Sequence, residues 1–149
     1  MGISTDANVS FGIEVEEGFE FPWGEAWDIE NWLMEKLGYK PPHTHLYDDQ
    51  HCRTKEWNEK QSNENWDHKH KWEEDNIPIE FVNTCSGDEP MWIIAVPGTV
   101  QTVYRGYPMP LNLKEPNTEA VSRFLDFLNE HGLPLKETEP RWYLSSFYG

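Results

Sequence analysis

Five of the six histidines fall between residues 43 and 70, as His43-Thr44-His45, His51-Cys52 and His68-Lys69-His70. Imidazoles and a thiolate are zinc ligands, and a His-x-His pair on a strand puts both rings on one face. On a helix, residues two apart point in different directions. No Cys-x-x-Cys or His-Glu-x-x-His spacing fixes a geometry here. His43, His45, His68 and His70 therefore form an alternative metal set, set against the plainer reading of a polar, histidine-rich region. No cofactor is expected.

Other residue types offer less. Cys85 stands at a turn with Ser86 and Asp88, but a catalytic thiolate needs a base and an electropositive setting, and its neighbours are acidic. Carboxylates crowd the first thirty residues: Glu14, Glu16, Glu17, Glu20, Glu25, Asp28 and Glu30. Two of them could make a general acid/base pair. With 27 acids in the chain, close pairs arise without any catalytic reason. No phosphate-binding glycine loop, hydrolase elbow or nucleotide fingerprint is present, so no enzymatic activity is expected. The segment Phe19-Glu20-Phe21-Pro22-Trp23-Gly24-Glu25-Ala26-Trp27 interleaves aromatics with acids. It reads either as a loop covering the core or as a recognition surface with Trp23 and Trp27 as anchors.

Charge narrows the class. The 149 residues carry 27 Asp and Glu against 12 Lys and Arg, a formal net of −15. Such a field repels phosphate backbones and anionic lipid, which disfavours direct binding of nucleic acid or membrane. The excess is uneven: residues 1–37 hold nine acids and one base, Lys36. These carboxylates are therefore expected to face solvent without internal partners. No apolar run approaches the roughly 20 residues of a membrane span. There is no signal core at the N-terminus, and two cysteines are too few for a disulfide framework. A cytoplasmic location is expected.

The elements that must position these residues follow from periodicity. Ala7, Val9, Phe11, Ile13 and Val15 alternate with Asn8, Ser10, Gly12, Glu14 and Glu16. This predicts a strand over 7–15 with the apolar set buried and the second set outward. Asp28 can cap a short helix through Ile29, Trp32, Leu33 and Leu37, stopped by Gly38. Residues 39–54 read as loop, and 55–75 as one or two short exposed helices pinned by their indoles. Strands are expected over Ile77–Thr84, Met91–Val96, Val100–Tyr104 and 142–148, the first two as a hairpin. Asn117 or Thr118 caps a helix carrying Val121, Phe124, Leu125 and Leu128, ended by Gly132. The result is a single α+β domain: an antiparallel or mixed sheet of about four to five strands packed with two main helices. A polar His- and Trp-rich excursion, 38–76, interrupts it.

Four stretches carry a resemblance: Met1-Gly2-Ile3-Ser4-Thr5-Asp6-Ala7, Cys85-Ser86-Gly87-Asp88-Glu89-Pro90-Met91, Ile94-Ala95-Val96-Pro97-Gly98-Thr99 and Trp142-Tyr143-Leu144-Ser145-Ser146. In them the chain resembles a group of small uncharacterised acidic proteins encoded by tailed bacteriophages. The likeness covers about a third of the chain and stops short of the histidine-rich middle. It brings no activity and no catalytic residue. It implies expression in the cytoplasm of an infected bacterium and a role in binding a host protein, such as a nucleic-acid enzyme or a defence factor, in some cases by DNA mimicry.

The expected function is thus a non-enzymatic binding protein that inhibits or redirects a basic host surface through Glu14, Glu16, Glu17, Glu20, Trp23, Glu25, Trp27, Asp28 and Glu30. A metal-dependent enzyme or small-ligand binder built on the histidines, or a virion or assembly component, are the alternatives.

Overall fold

The computed structural model describes residues 5–17, 21–22, 24, 28–44, 54–86, 90–133 and 135–148. The chain forms two compact units, Met1–Phe21 with Pro78–Gly149, and Pro22–Ile77. The class is α+β, the described residues forming a five-stranded mixed sheet and three helices.

The first unit holds the sheet: β1 (Thr5–Glu14), β2 (Glu80–Ser86), β3 (Pro90–Ala95), β4 (Gln101–Val103) and β5 (Arg141–Tyr148). β1 is central. One edge pairs antiparallel with β5 from Thr5↔Tyr148 to Gly12↔Arg141. The other edge pairs first with β4, at Ala7–Val9, and then with β3, at Gly12–Glu14. β2 and β3 form the expected hairpin. β2 also meets β5 in parallel at Cys85↔Phe147 and Ser86↔Tyr148. The pairings therefore run from β1 through β5, β2 and β3 back to β1, so four strands close on themselves.

That closure corrects the reading of β1. Its apolar set behaves as expected toward the strand's middle, with Phe11, Ile13 and Val15 buried. Val15 lies just past the strand in an isolated bridge to Leu135. The second face is buried as well: Asn8 and Ser10 are 8% and 0% exposed. A strand paired at both edges in a closed sheet turns one face inward and has the other covered. Ala95, Ile93 and Val82 fill the inside, with Val100 and Tyr143 packed on them. On the outer face Phe11 meets the Trp142 ring edge-on at 5.3 Å.

The ladder on β1 changes partner at Val96-Pro97-Gly98-Thr99. Proline second and glycine third suit a type II turn, and Gly98 takes φ +80°. Thr99 N–H donates back to Val96 C=O at 3.2 Å. The Thr99 hydroxyl accepts from Phe11 N–H at 3.2 Å and donates to Val96 C=O at 2.6 Å. It thus serves the β1 amide that neither β3 nor β4 reaches.

α3 (Thr118–His131) starts at Asn117, whose side chain accepts from Ala120 N–H at 2.7 Å. It buries Phe124, Phe127 and Leu128 and ends at Gly132 in the left-handed region.

The second unit carries α1 (Ile29–Lys36) and α2 (Lys55–Asn76). Asp28 precedes α1 but makes no side-chain capping bond, because its own backbone is helical at φ −82°, ψ −4°. Leu33 is buried and Leu37 is 46% exposed. In place of one or two short helices, residues 55–76 form one continuous helix of 22 residues with none buried. Thr54 caps it by accepting from Trp57 N–H. Lys55–Glu59, Lys60–Glu64 and Lys69–Glu73 pair at i,i+4 along it, each adding a few tenths of a kcal/mol, roughly 0.3. Trp66 is 63% exposed, so its indole does not pin the helix. Trp72 does make contact, with the Tyr39 ring at 5.1 Å. One long helix thus replaces the short ones expected beside the two main helices, sustained by local propensity and charge pairing without an apolar stripe.

Candidate functional site

The acidic end of β1 is built by a distant segment. Beyond α3, Leu135 bridges Val15, and Lys136 N–H donates to Glu14 C=O at 3.0 Å. This sets the Lys136 ammonium 2.8 Å from Glu14 Oε1 and 3.5 Å from Glu17 Oε1. The Glu14 hydrogen bond foremost holds Lys136 above the ordinary lysine range. Desolvation opposes it, and the charges of Glu14 and Glu17 reinforce it. The expectation that these carboxylates lack internal partners is corrected: their base comes from 122 positions away. Glu16 and Glu17 remain exposed, so the cluster keeps an outward negative charge. Asp28 is half-buried ahead of α1. Glu20, Trp23, Glu25, Trp27 and the Glu30 side chain lie outside the described residues.

In the second unit the histidines take separate partners. His43 Nε2 pairs with Glu64 Oε2 at 2.6 Å, while its backbone N–H and C=O bond the Asn65 amide at 3.0 and 2.9 Å. His68 Nδ1 lies 3.3 Å from the Tyr39 hydroxyl. His70 meets Glu73 and the Trp66 ring. His68 and His70 are on a helix, two positions apart, and so diverge. Among the described residues no three His, Cys, Asp or Glu side chains gather as metal ligands. His45, His51 and Cys52 lie outside the described residues. Cys85, at the end of β2, is a half-buried free thiol with φ +71°.

A different constellation was not legible in the sequence. A cleft of about 340 Å³ opens among β1, β2, β4 and β5. Asp6 and Asn8 come from β1, Glu80 and Asn83 from β2, and Thr102 from β4. Tyr104, just beyond β4, and Phe147 of β5 add aromatic walls. Asn8 is buried, and its Oδ1 accepts the Thr102 hydroxyl at 2.8 Å. Asn83 Oδ1 is buried with no hydrogen-bond partner among the described residues. Among the described residues no lysine, arginine or histidine lines it. Neither Asp6 nor Glu80 has an ion-pair partner among the described residues. Periodicity had placed Asn8 outward, and nothing local marks Glu80 as its neighbour.

Although more than a third of Glu80 stays accessible, enough of its carboxyl is withdrawn from water to raise it above the usual carboxylate range. A hydrogen bond from Gly98 N–H pulls the other way. A carboxyl raised in the folded state stabilises the fold while protonated and loses that contribution as pH rises through the folded value. Glu80→Gln, which keeps an acceptor for Gly98, is therefore expected to match the parent near pH 3 and to be the more stable protein at pH 7. Thermal melts at both pH values check this. The gain is expected to be no more than about 4 °C, because solvent screens the group.

Comparison with known protein families, with curated proteins and with solved structures finds no match. No described helix is long and apolar enough to cross a membrane.

Proposed function

We propose that this chain is a non-enzymatic acidic binding protein, encoded by a phage, that occupies a basic surface on a host protein and inhibits or redirects it. The observation that carries the reading is the acidic end of β1, where, among the described residues, Lys136 is the base that offsets Glu14 and Glu17 while Glu16 and Glu17 face solvent. Within a formal net charge of −15, that cluster attracts cations at range, raises association rates and rejects acidic partners. A nucleic-acid enzyme or a defence factor is the host protein whose basic groove fits best, with the carboxylates standing in for DNA phosphates.

The test is capture from a bacterial host lysate, identification of the partner and measurement of association rates. The partner is expected to be basic, and its binding to weaken steeply between 0.05 and about 0.5 M salt, as exposed charges are screened. Glu16→Gln with Glu17→Gln is expected to slow association roughly fivefold. Glu115→Gln with Glu139→Gln, which removes the same charge elsewhere, is expected to do much less. Glu14 is left intact because Lys136 depends on it. Equal effects of the two pairs, or an acidic partner bound independently of salt, would sink the charge reading.

A further inference from the structure

Between β4 and α3 the chain leaves an apolar surface uncovered. Five of the nine large apolar side chains exposed among the described residues fall within ten positions there: Tyr104, Tyr107, Met109, Leu111 and Leu113. Every residue from 104 to 115 is exposed. Apolar side chains exposed singly need no partner, whereas a cluster of this kind marks a contact surface. The backbone beneath them is nevertheless held. Tyr107 N–H donates to Tyr104 C=O at 3.0 Å, across Gly106 at φ +83°, which turns the chain out of β4. Pro108 and Pro110 then keep Tyr107 and Met109 extended. Farther on, Gln101 of β4 clasps Asn112: its Nε2 donates to Asn112 C=O at 2.5 Å, and its Oε1 accepts from Asn112 N–H at 3.1 Å. Asn112 Oδ1 in turn accepts from Lys114 N–H at 3.1 Å. An arm fixed at both ends, with its apolar side chains left in water, has already met much of the ordering cost of binding.

We propose that this arm docks on the same arm of a second copy of the chain, forming a two-fold dimer. Charge selects the occupant. Residues 90–114 contain no Asp or Glu, although the chain has 27, and they carry Arg105 and Lys114. Two chains of net charge −15 repel, and through this stretch they can meet without setting its carboxylates against their own copies. A two-fold contact uses one patch twice, so the patch must fit itself. An apolar patch does so where a charged one does not. The area agrees: the five apolar residues leave on the order of 600 Å² accessible, before Pro108 and Pro110 are added, against roughly 800 Å² per partner in a standard interface. The dimer is therefore a weak one, with a Kd of about 10 µM. The proposal is independent of the acidic end of β1, and its salt dependence has the opposite sign. Screening relieves the repulsion between the two acidic chains, so the dimer tightens as salt rises.

Sedimentation equilibrium of the full chain, from about 1 to about 300 µM, tests this. A monomer–dimer equilibrium is expected, tighter at about 0.5 M salt than at about 0.05 M. Met109→Ser with Leu111→Ser is expected to weaken the dimer about tenfold. Both side chains are exposed, so the far-UV circular dichroism of that variant is expected to match the parent. Leu144→Ser removes a more exposed apolar side chain, on β5, and is expected to leave the dimer unchanged. Gln101→Ala, which releases Asn112, is expected to weaken it about threefold by restoring the ordering cost. In a mixture of isotope-labelled and unlabelled chains, intermolecular NOEs are expected between the Met109 methyl and the Tyr107 ring of the other copy. A monomer over the whole concentration range overturns the proposal and leaves the arm to a foreign protein. So does a dimer that the Met109/Leu111 pair weakens no more than Leu144→Ser does, or one whose intermolecular NOEs lie outside the arm.

Discussion

Gly12→Ala is expected to leave little or no folded protein. Gly12 lies on β1 opposite Ala95 on one side and Arg141 on the other. A Cβ at this position would sit 2.7 Å from Ala95 Cα and closer still to the Ile94 carbonyl. Both contacts are backbone, so no rotamer change can relieve them, and β1 or β3 would have to move. Overpacking a core costs about 1–3 kcal/mol when side chains can shift, and more when they cannot. Against a total stability of roughly 5–15 kcal/mol, that is a large share. Ser10→Ala is the matched control. It lies two residues away on the same face, fully buried, with a hydroxyl that has no partner among the described residues. Removing it is expected to be neutral or slightly stabilising. Soluble yield and far-UV circular dichroism of the two variants test the claim. A Gly12→Ala protein with parental yield and Tm would show that β3 does not cross β1 so closely.

The second large effect is expected at Thr99. Its hydroxyl accepts from Phe11 N–H inside the protein, at the position where β1 exchanges β3 for β4 as its neighbour. Valine has nearly the same shape but no acceptor, so Thr99→Val leaves that amide buried and unsatisfied. The penalty is about 1–3 kcal/mol, or roughly 2–4 °C in Tm for each kcal/mol at this chain length. Thr99→Ser, which keeps the hydroxyl, is expected to recover most of the loss. Hydrogen exchange gives a local reading: the Phe11 amide is expected to lose protection in the valine variant. If valine and serine variants melt together with the parent, the hydroxyl is not the amide's partner.

The first prediction rests on residues that periodicity alone misreads. Phe11 and Ile13 announce a strand because apolar side chains repeat every second residue, and that signal is local. Asn8, Ser10 and Gly12 give the opposite signal, since small and polar residues ordinarily face water. They are buried because the sheet closes, through pairings that join β1 to residues about eighty or more positions away. The same distinction holds for charge. The stretch 1–37 shows a single base, Lys36, yet Glu14 obtains Lys136 through the Val15–Leu135 bridge. Asp6 and Glu80, far apart in the chain, share a cleft for the same reason. At 55–76 helix was expected, but as one or two short pieces, because no apolar stripe exists to show that it runs unbroken. There Lys and Glu at i,i+4 and the Thr54 cap sustain the whole length, although none of its residues is buried.

By itself the sequence determined the acidic field, the α+β class, the β2–β3 hairpin and α3 from Asn117 to Gly132. Each of these is set by composition or by contacts within a few residues, where propensity, capping and side-chain period act directly. The tertiary structure alone decided that the second face of β1 is hidden as well, which base answers Glu14, and which carboxylates line one cleft. Those outcomes depend on closing long loops to pair distant strands, and no local pattern records which strand edges will meet.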